Sequence, residues 1–441
     1  MMPDAPAPTA LNVLELAQNG RFADIHDLYA PPLRPMVPAE ALQATWDAEI
    51  GRVGPVSSVG TPVSEQAGPG ATIVRVPVTC ERGAFTLVAS VTDNGWLTGL
   101  QLASPSAAEP AAPWQAPDYV DPERFAEEEV TVGTGPLAVP GTLTLPRSPR
   151  MGQETGRRTG TFPGPAVVLL SGSGAHDRDE TLGRNKPFRD LAWGLASRGV
   201  TVLRFDKVTY AHGPQVAKDR DFTVADEYLP DAVAAAGLLR QHPAVDPQRV
   251  FVLGHSLGGT IAPRVALAEP SIAGLVILAG GTQPMHWAAV RQTRYLASLV
   301  PETAAAAQPV IEALTRQAAT VDSPALSPST PDSELPFGVP APYWLDLRGY
   351  DPAAAAATLG MPMLILQGGR DYQVTLTDDL ARWEASLAGH PDVTIRVYEA
   401  DNHLFFRGTG KPSPAEYEPA QHVDPAVIAD IADWLLTTGA V

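Results

Sequence analysis

Gly254-His255-Ser256-Leu257-Gly258-Gly259 decides how the rest of the chain reads. It follows Arg249-Val250-Phe251-Val252-Leu253, a short apolar run that predicts a buried strand. It precedes the Ala-rich stretch 260–269, which predicts a helix. Strand, Gly-x-Ser-x-Gly and helix together spell a nucleophile elbow. The spelling has a steric cause. A serine held on a sharp strand-to-helix turn has strained backbone angles, so the residues two before and two after it must be small. Gly254 and Gly258 meet that need. The turn lifts the hydroxyl clear of the sheet and aims the start of the helix at it. The N–H of Leu257 can then donate to a developing oxyanion. A chance match is the plain alternative in a chain with 38 glycines, but the predicted strand and helix on either side argue against it.

Outward from the elbow, strand and helix patterns alternate. Strands are expected at 166–170, 200–205, 272–278, 363–367 and 393–398. Helices are expected at 187–197, 226–241, 376–387 and 425–436. Near-continuous apolar strands in regular β/α alternation predict a mostly parallel sheet covered on both faces. Two further strand patterns, 129–132 and 137–145, precede the alternation, and a Gly/Arg/Pro-rich loop is expected over 147–165. One interruption, about 282–350, follows the sixth sheet strand and carries two helical patterns and the aromatics Trp287, Tyr343 and Trp344. An insertion there reads as a cap over the carboxyl ends of the strands, where ligands bind in open α/β sheets. These aromatics then line a substrate pocket, or else form the insertion's own core.

Ser256 needs a base, and the base needs an orienting acid. His403 stands in Ala400-Asp401-Asn402-His403, just past the last expected strand. Asp371 ends Gln367-Gly368-Gly369-Arg370-Asp371, in a Gly-rich turn after the strand before. The order Ser256, Asp371, His403 is the chain order that goes with an elbow of this kind. His255 is pinned beside the serine and faces away from it. Asp378 and Asp379 lie nearer the next helix, where a capping or surface role is expected. The loop 171–180 after the 166–170 strand should supply the second oxyanion donor. Its glycines allow close approach, and the N–H of Ser173 is the first choice, with Gly174 second. Asp177-Arg178-Asp179 is read as an ion-pair cluster holding that loop.

Composition bounds the partners. The 441 residues hold 31 basic and 49 acidic side chains, a net charge of −18. So acidic a chain is a poor nucleic-acid binder. No apolar run approaches a membrane span, and the N-terminus lacks the pattern of a secretion signal, so the cytoplasm is the expected compartment. The single cysteine, Cys80, allows no internal disulfide or thiolate cluster and reads as a packed strand residue. No metal or cofactor is called for. Composition does not decide the oligomeric state.

Residues 1–105 read as a separate small α+β domain. Three helical patterns (11–18, 22–29, 39–50) precede strand patterns at 53–63, 71–80, 84–91 and 96–102, with a hairpin turn at Asp93-Asn94-Gly95. Residues 106–124, rich in Pro and Ala, read as a linker, and 125–441 as the larger domain.

The chain resembles the α/β-hydrolase superfamily, and within it bacterial carboxylesterases that carry a small α+β domain ahead of the hydrolase. The marks are Gly141-Thr142-Leu143-Thr144-Leu145-Pro146, the loop from Gly172-Ser173-Gly174 to Asp177-Arg178-Asp179-Glu180, Arg204-Phe205-Asp206-Lys207, the serine elbow, and the settings of Asp371 and His403. Ser171-Gly172 stands where many relatives have a histidine-glycine pair. Residues 1–105 are similar in pattern to a nuclear-transport-factor-like or cystatin-like module. The resemblance implies hydrolysis of a small-molecule carboxylic ester by a Ser256–His403–Asp371 triad, with no cofactor. Thioester or peptide hydrolysis would use the same machinery. A non-catalytic binding protein on this scaffold would be expected to lack a triad member.

Overall fold

The computed structural model describes residues 6–68, 70–108, 114–147, 163–299 and 304–439. Most of the loop expected over 147–165 and part of the linker, 109–113, lie outside the described residues. The chain divides into two compact units. One holds Met1–Ala112 with Ala289–Leu345, the other Pro113–Ala288 with Asp346–Val441.

In the first unit, helices Pro6–Gln18, Phe22–Leu28 and Ala39–Val53 precede an antiparallel sheet. Its strands are β1 (Val56–Val59), β2 (Val63–Gly68), β3 (Ala71–Cys80), β4 (Ala84–Thr92) and β5 (Leu97–Ala103), in the order β1-β3-β4-β5, with β2 also paired to β3. Alternate residues of β3 and β4, among them Val74, Val76, Val78, Phe85, Leu87 and Ala89, bury against Val13, Leu14 and Ala17 of the first helix. Cys80 ends β3 and is buried. The turn at Asp93-Asn94-Gly95 closes on a bond from the N–H of Gly95 to the carbonyl of Thr92 (2.7 Å), with Gly95 at φ +77°.

The continuous strand expected over 53–63 does not form. Val53 ends a helix, Gly54 turns the chain at φ +85°, and Gly60-Thr61-Pro62 separates β1 from β2. The part of the insertion in this unit includes the helix Ala304–Asp322, which contacts the Ala39–Val53 helix. Between the Ala304–Asp322 helix and the helix Ala341–Arg348, which holds Tyr343 and Trp344, lie two short 3-10 turns.

The second unit is built on an eight-stranded sheet. Its strands are β6 (Phe125–Val132), β7 (Val139–Pro146), β8 (Gly164–Leu170), β9 (Thr201–Phe205), β10 (Val245–His255), β11 (Leu275–Leu278), β12 (Met363–Gly368) and β13 (Val393–Tyr398). The order is β13-β12-β11-β10-β8-β9-β7-β6. β7 runs antiparallel to both neighbours, and every other pairing is parallel. Val167, Leu169, Phe251, Leu253, Val276 and Leu278 pack on one face with helices Pro187–Ala196 and Pro425–Thr437. Helices Val224–Gln241 and Leu257–Ala268 contact β8, β10 and β11. The strands read as unbroken apolar runs because both faces are covered. After β8 the chain goes to β9 on one side and then to β10 on the other, so β8 and β10 flank the point where strand order reverses. The loops that leave these two strands are Ser171–Glu180 and the elbow.

Residues from Trp114 onward are packed into this unit. The Trp114 indole N–H donates to Asp190 (3.0 Å), its ring meets Trp193 edge-on, and the Arg189 guanidinium lies over both rings. Buried aromatic area outweighs a Pro/Ala-rich composition that reads as linker. Among the described residues, no helix is long and apolar enough to cross a membrane.

Candidate active site

Ser256 follows the last residue of β10 and precedes the first of the Leu257–Ala268 helix, at φ 52°, ψ −119°. A non-glycine residue at these angles is strained and is kept there by its surroundings. The glycines show how. A Cβ on Gly254 would stand 2.2 Å from the carbonyl oxygen of Gly258, and one on Gly258 2.2 Å from that of Leu170. The helix runs through Pro263 without interruption.

The loops after β12 and β13 supply the partners. His403 Nε2 is 3.0 Å from Ser256 Oγ, and its Nδ1 is 2.7 Å from Asp371 Oδ2. Asp371 Oδ1 accepts from the N–H groups of Gln373 (2.7 Å) and Val374 (3.0 Å), and Gln367 donates to Oδ2 (3.1 Å). A carboxylate so held can only accept, so Nδ1 of His403 carries its proton and Nε2 is left to accept from the serine hydroxyl. Asn402 shapes the histidine loop by accepting from the N–H groups of Leu404 and Phe406. Gly368 lets that loop come close, since a Cβ there would lie 2.5 Å from the carbonyl of Asn402.

The loop after β8 passes over the serine: a Cβ on Gly172 would be 3.2 Å from Ser256 Cβ. The N–H of Gly172 is already committed to Glu180 (2.6 Å). The N–H groups of Leu257 and Ser173 have no partner among the described residues. The carbonyl of Ser173 faces His176 Nε2 (2.8 Å). The DRD run forms the expected ion pairs. Arg178 meets Asp206 (2.9 Å) and Glu129 (2.6 Å), while Asp179 meets Arg204 (2.9 Å) and Lys186 (3.0 Å).

Two buried pairs beneath this loop were not singled out from sequence. His255 Nδ1 lies 3.0 Å from Glu180 Oε1, and its Nε2 lies 3.0 Å from the carbonyl of His403. A carbonyl only accepts, and Glu180 Oε1 already accepts from Gly172, so both ring nitrogens of His255 donate and the ring is an imidazolium. Burial opposes its charge, but Glu180 outweighs burial and holds the His255 pKa above its ordinary value. In turn burial opposes ionisation of Glu180, yet His255 holds its pKa below the ordinary value. The second pair is Lys207 and Glu227, 3.0 Å apart and both buried. In the sequence the only signal was charge inside otherwise apolar or Gly-rich stretches.

Other expectations resolve individually. Asp379 is buried, not a surface residue, and accepts from the N–H groups of Thr282, Gln283 and Thr375. The chain entering the insertion needs an acceptor there, which outweighs the cost of burying a carboxylate. Asp378 binds Thr375 at the start of its helix, as a capping role requires. Among the other histidines, His212 and His390 bond backbone carbonyls, and His422 bonds Asp190. Trp287 belongs to the unit that carries Ser256. Tyr343 and Trp344 belong to the other unit, where Trp344 is fully buried and stacks on Phe337. No group of three or more His, Cys, Asp or Glu among the described residues is placed to hold a metal.

Sheet order, elbow and hydrogen-bond chain define an α/β-hydrolase with the geometry of a serine hydrolase. The chain belongs to the family described as serine aminopeptidase, S33, which matches residues 166–409. It is 38% identical over 362 residues to Esterase EstD of Thermotoga maritima, covering 81% of this chain and 77% of that protein. A shorter stretch of 119 residues is 29% identical to the polyketide transferase ATR5 of Stachybotrys chlorohalonatus, 27% of this chain and 37% of that one. Among solved structures, the Pyrococcus furiosus esterase PF2001 is 17% identical, with a TM-score of 0.42 over 75% of this chain and 99% of that one. A puromycin hydrolase S511A mutant is 16% identical, with a TM-score of 0.47 over 87% of this chain and 47% of that one.

Proposed function

We propose that the protein hydrolyses short- to medium-chain carboxylic esters through an acyl-enzyme on Ser256. The observation that carries this reading is the hydrogen-bond chain from Ser256 Oγ through His403 to Asp371. His403 takes the serine proton as Oγ attacks the ester carbonyl. The N–H groups of Leu257 and Ser173 receive the oxyanion. His403 then protonates the leaving alcohol and activates the water that releases the acid, while Asp371 keeps the ring oriented and stabilises its protonated form. The 38% identity to an esterase supports an ester as substrate. The size limit rests on an apolar wall, for which Trp287, in the unit that carries Ser256, is the candidate. Each methylene that fits contributes about 0.8 kcal/mol until the space is filled.

Ser256→Ala should fold and lose on the order of 10⁴-fold or more in kcat. A fluorophosphonate should label Ser256 in the parent enzyme; labelling elsewhere, or an active mutant, refutes the reading. An acyl series on the parent and on Trp287→Ala reads the size limit. An optimum that moves to longer chains supports the wall, whereas an unshifted profile with a lower Tm makes Trp287 a packing residue only. The family's description favours a second reading, cleavage of aminoacyl amides on the same triad. Comparing p-nitrophenyl esters, acyl-CoA and aminoacyl amides by kcat/KM separates the two.

A further inference from the structure

Lys207 follows β9 and is the only buried lysine among the described residues. A lysine without solvent must have its three protons received by acceptors. Here Nζ reaches the carbonyls of Gly172 (2.7 Å) and Gly174 (3.1 Å), the hydroxyl oxygen of Tyr228 (2.8 Å) and Glu227 Oε1 (3.0 Å). The Tyr228 hydroxyl lies 2.9 Å from each of the carbonyls of Ser171 and Gly172, so it passes its own proton into the same loop. Both Glu227 and Tyr228 stand on the Val224–Gln241 helix, which a Thr223–Asp226 capping box fixes at its start. The cation is therefore held by a rigid element and spends its bonds on the backbone of one loop.

The consequence follows from peptide geometry. In a planar trans peptide the C=O and the next N–H point in opposite directions. Fixing the carbonyl of Gly172 on Lys207 therefore fixes the N–H of Ser173 pointing away from it, and among the described residues that N–H has no partner of its own. The carbonyl of Gly174 does the same for the N–H of Ala175. From the other side, Glu180 holds the N–H of Gly172. Two glycines, one at φ +99° in Gly174, would otherwise leave this loop free to rotate its peptides.

We propose that Lys207, seated by Glu227 and Tyr228, is the positioning residue of the oxyanion hole: it orients the Ser173 N–H and strengthens it as a donor by polarising the peptide. This rests on the oxyanion role given to Ser173 above. Lys207 touches no reacting atom and acts through the Gly172–Ser173 peptide.

The test compares Lys207→Met/Glu227→Gln, which avoids leaving a buried carboxylate unpaired, with Tyr228→Phe and Lys207→Arg. Each is assayed with a p-nitrophenyl ester and with the matching thionoester, whose C=S makes a poor oxyanion. Losing a whole oxyanion donor costs about 10²–10³-fold in kcat. Disorienting one should cost the double variant roughly 10–100-fold, with KM within about twofold. Tyr228→Phe should show a smaller loss of the same kind, and Lys207→Arg should recover part of the rate. The ester-to-thionoester ratio of kcat/KM should fall in the double variant and in Tyr228→Phe. A purely structural role would lower Tm while leaving that ratio and the kcat of folded enzyme unchanged, and this outcome overturns the proposal. If the double variant does not fold, an unchanged ratio in Tyr228→Phe overturns it equally. Fluorophosphonate labelling of Ser256 keeps the two readings apart. An unlabelled Ser256 in the parent removes the triad, whereas labelled variants with an unchanged ratio remove only the role of Lys207.

Discussion

At the scale of single residues, two carboxylates eight positions apart separate chemistry from architecture. Asp371 accepts from His403 Nδ1, and Asp379 accepts from three backbone N–H groups. Asp371→Asn should cut kcat by about 10⁴-fold with little change in KM, because the ring loses its tautomer and not its substrate. Asp379→Asn should leave kcat per folded molecule near the parent value and cost about 1.5–3 kcal/mol, as weakened bonds to a charged acceptor do. Steady-state kinetics beside urea melts reads both, and an inactive, stable Asp379→Asn would reverse the assignment. The Glu180–His255 pair makes a pH prediction with a definite sign. The raised pKa of His255 stabilises fully below its unfolded value, about 6.5, and that contribution is lost as pH rises through the folded value. The depressed pKa of Glu180 stabilises above its unfolded value, about 4.3, and is lost as pH falls through the folded one. The stability gap between parent and Glu180→Gln should therefore be largest between about pH 4.3 and 6.5, about 3–5 kcal/mol, and narrow on either side. A gap that widens steadily toward alkaline pH would show that His255 is neutral.

At the scale of elements, the elbow is a steric object. Gly254→Ala and Gly258→Ala each place a Cβ 2.2 Å from a carbonyl oxygen of backbone that cannot yield. Both should unfold the enzyme or displace Ser256, with loss of fluorophosphonate labelling. Gly237→Ala is the internal control: it lies in the Val224–Gln241 helix with no atom within 4 Å of the new Cβ. It should stabilise by about 0.5–1 kcal/mol. Thermal melts of the three variants test the contrast, and a destabilised Gly237→Ala would refute it. The same local logic explains where element prediction failed. Val53 to Val63 alternates well enough to read as one strand, but Gly54-Pro55 and Gly60-Thr61-Pro62 cut it into a helix end and two strands.

At the scale of the whole molecule, the insertion after β11 does not divide from the N-terminal residues. Ala289–Leu345 and Met1–Ala112 form one compact unit, and within it the Ala304–Asp322 helix contacts the Ala39–Val53 helix. Deleting residues 1–112 would strip that helix of a packed face. The remaining chain should aggregate or melt well below the parent, since exposed apolar helix faces associate. Size-exclusion chromatography and calorimetry decide it: a monomeric fragment with the parent's Tm would show that the unit is separable.

The elbow, the β/α alternation and the order Ser256, Asp371, His403 were legible in the sequence because each is written in neighbouring residues. Glycine spacing, apolar periodicity and Gly-rich turns act over a few positions. Tertiary structure alone decided which polar groups are buried and whom they meet. Lys207 holds Gly172 from 35 positions away, Glu180 holds His255 from 75, and Asp379 anchors Thr282 from 97. A buried charge is stable only beside a partner, and the partner is supplied by the folding of distant strands onto one sheet. The joining of 289–345 to 1–112 was invisible for the same reason. An apolar helix face specifies that it must be covered, and only the folded chain specifies by what.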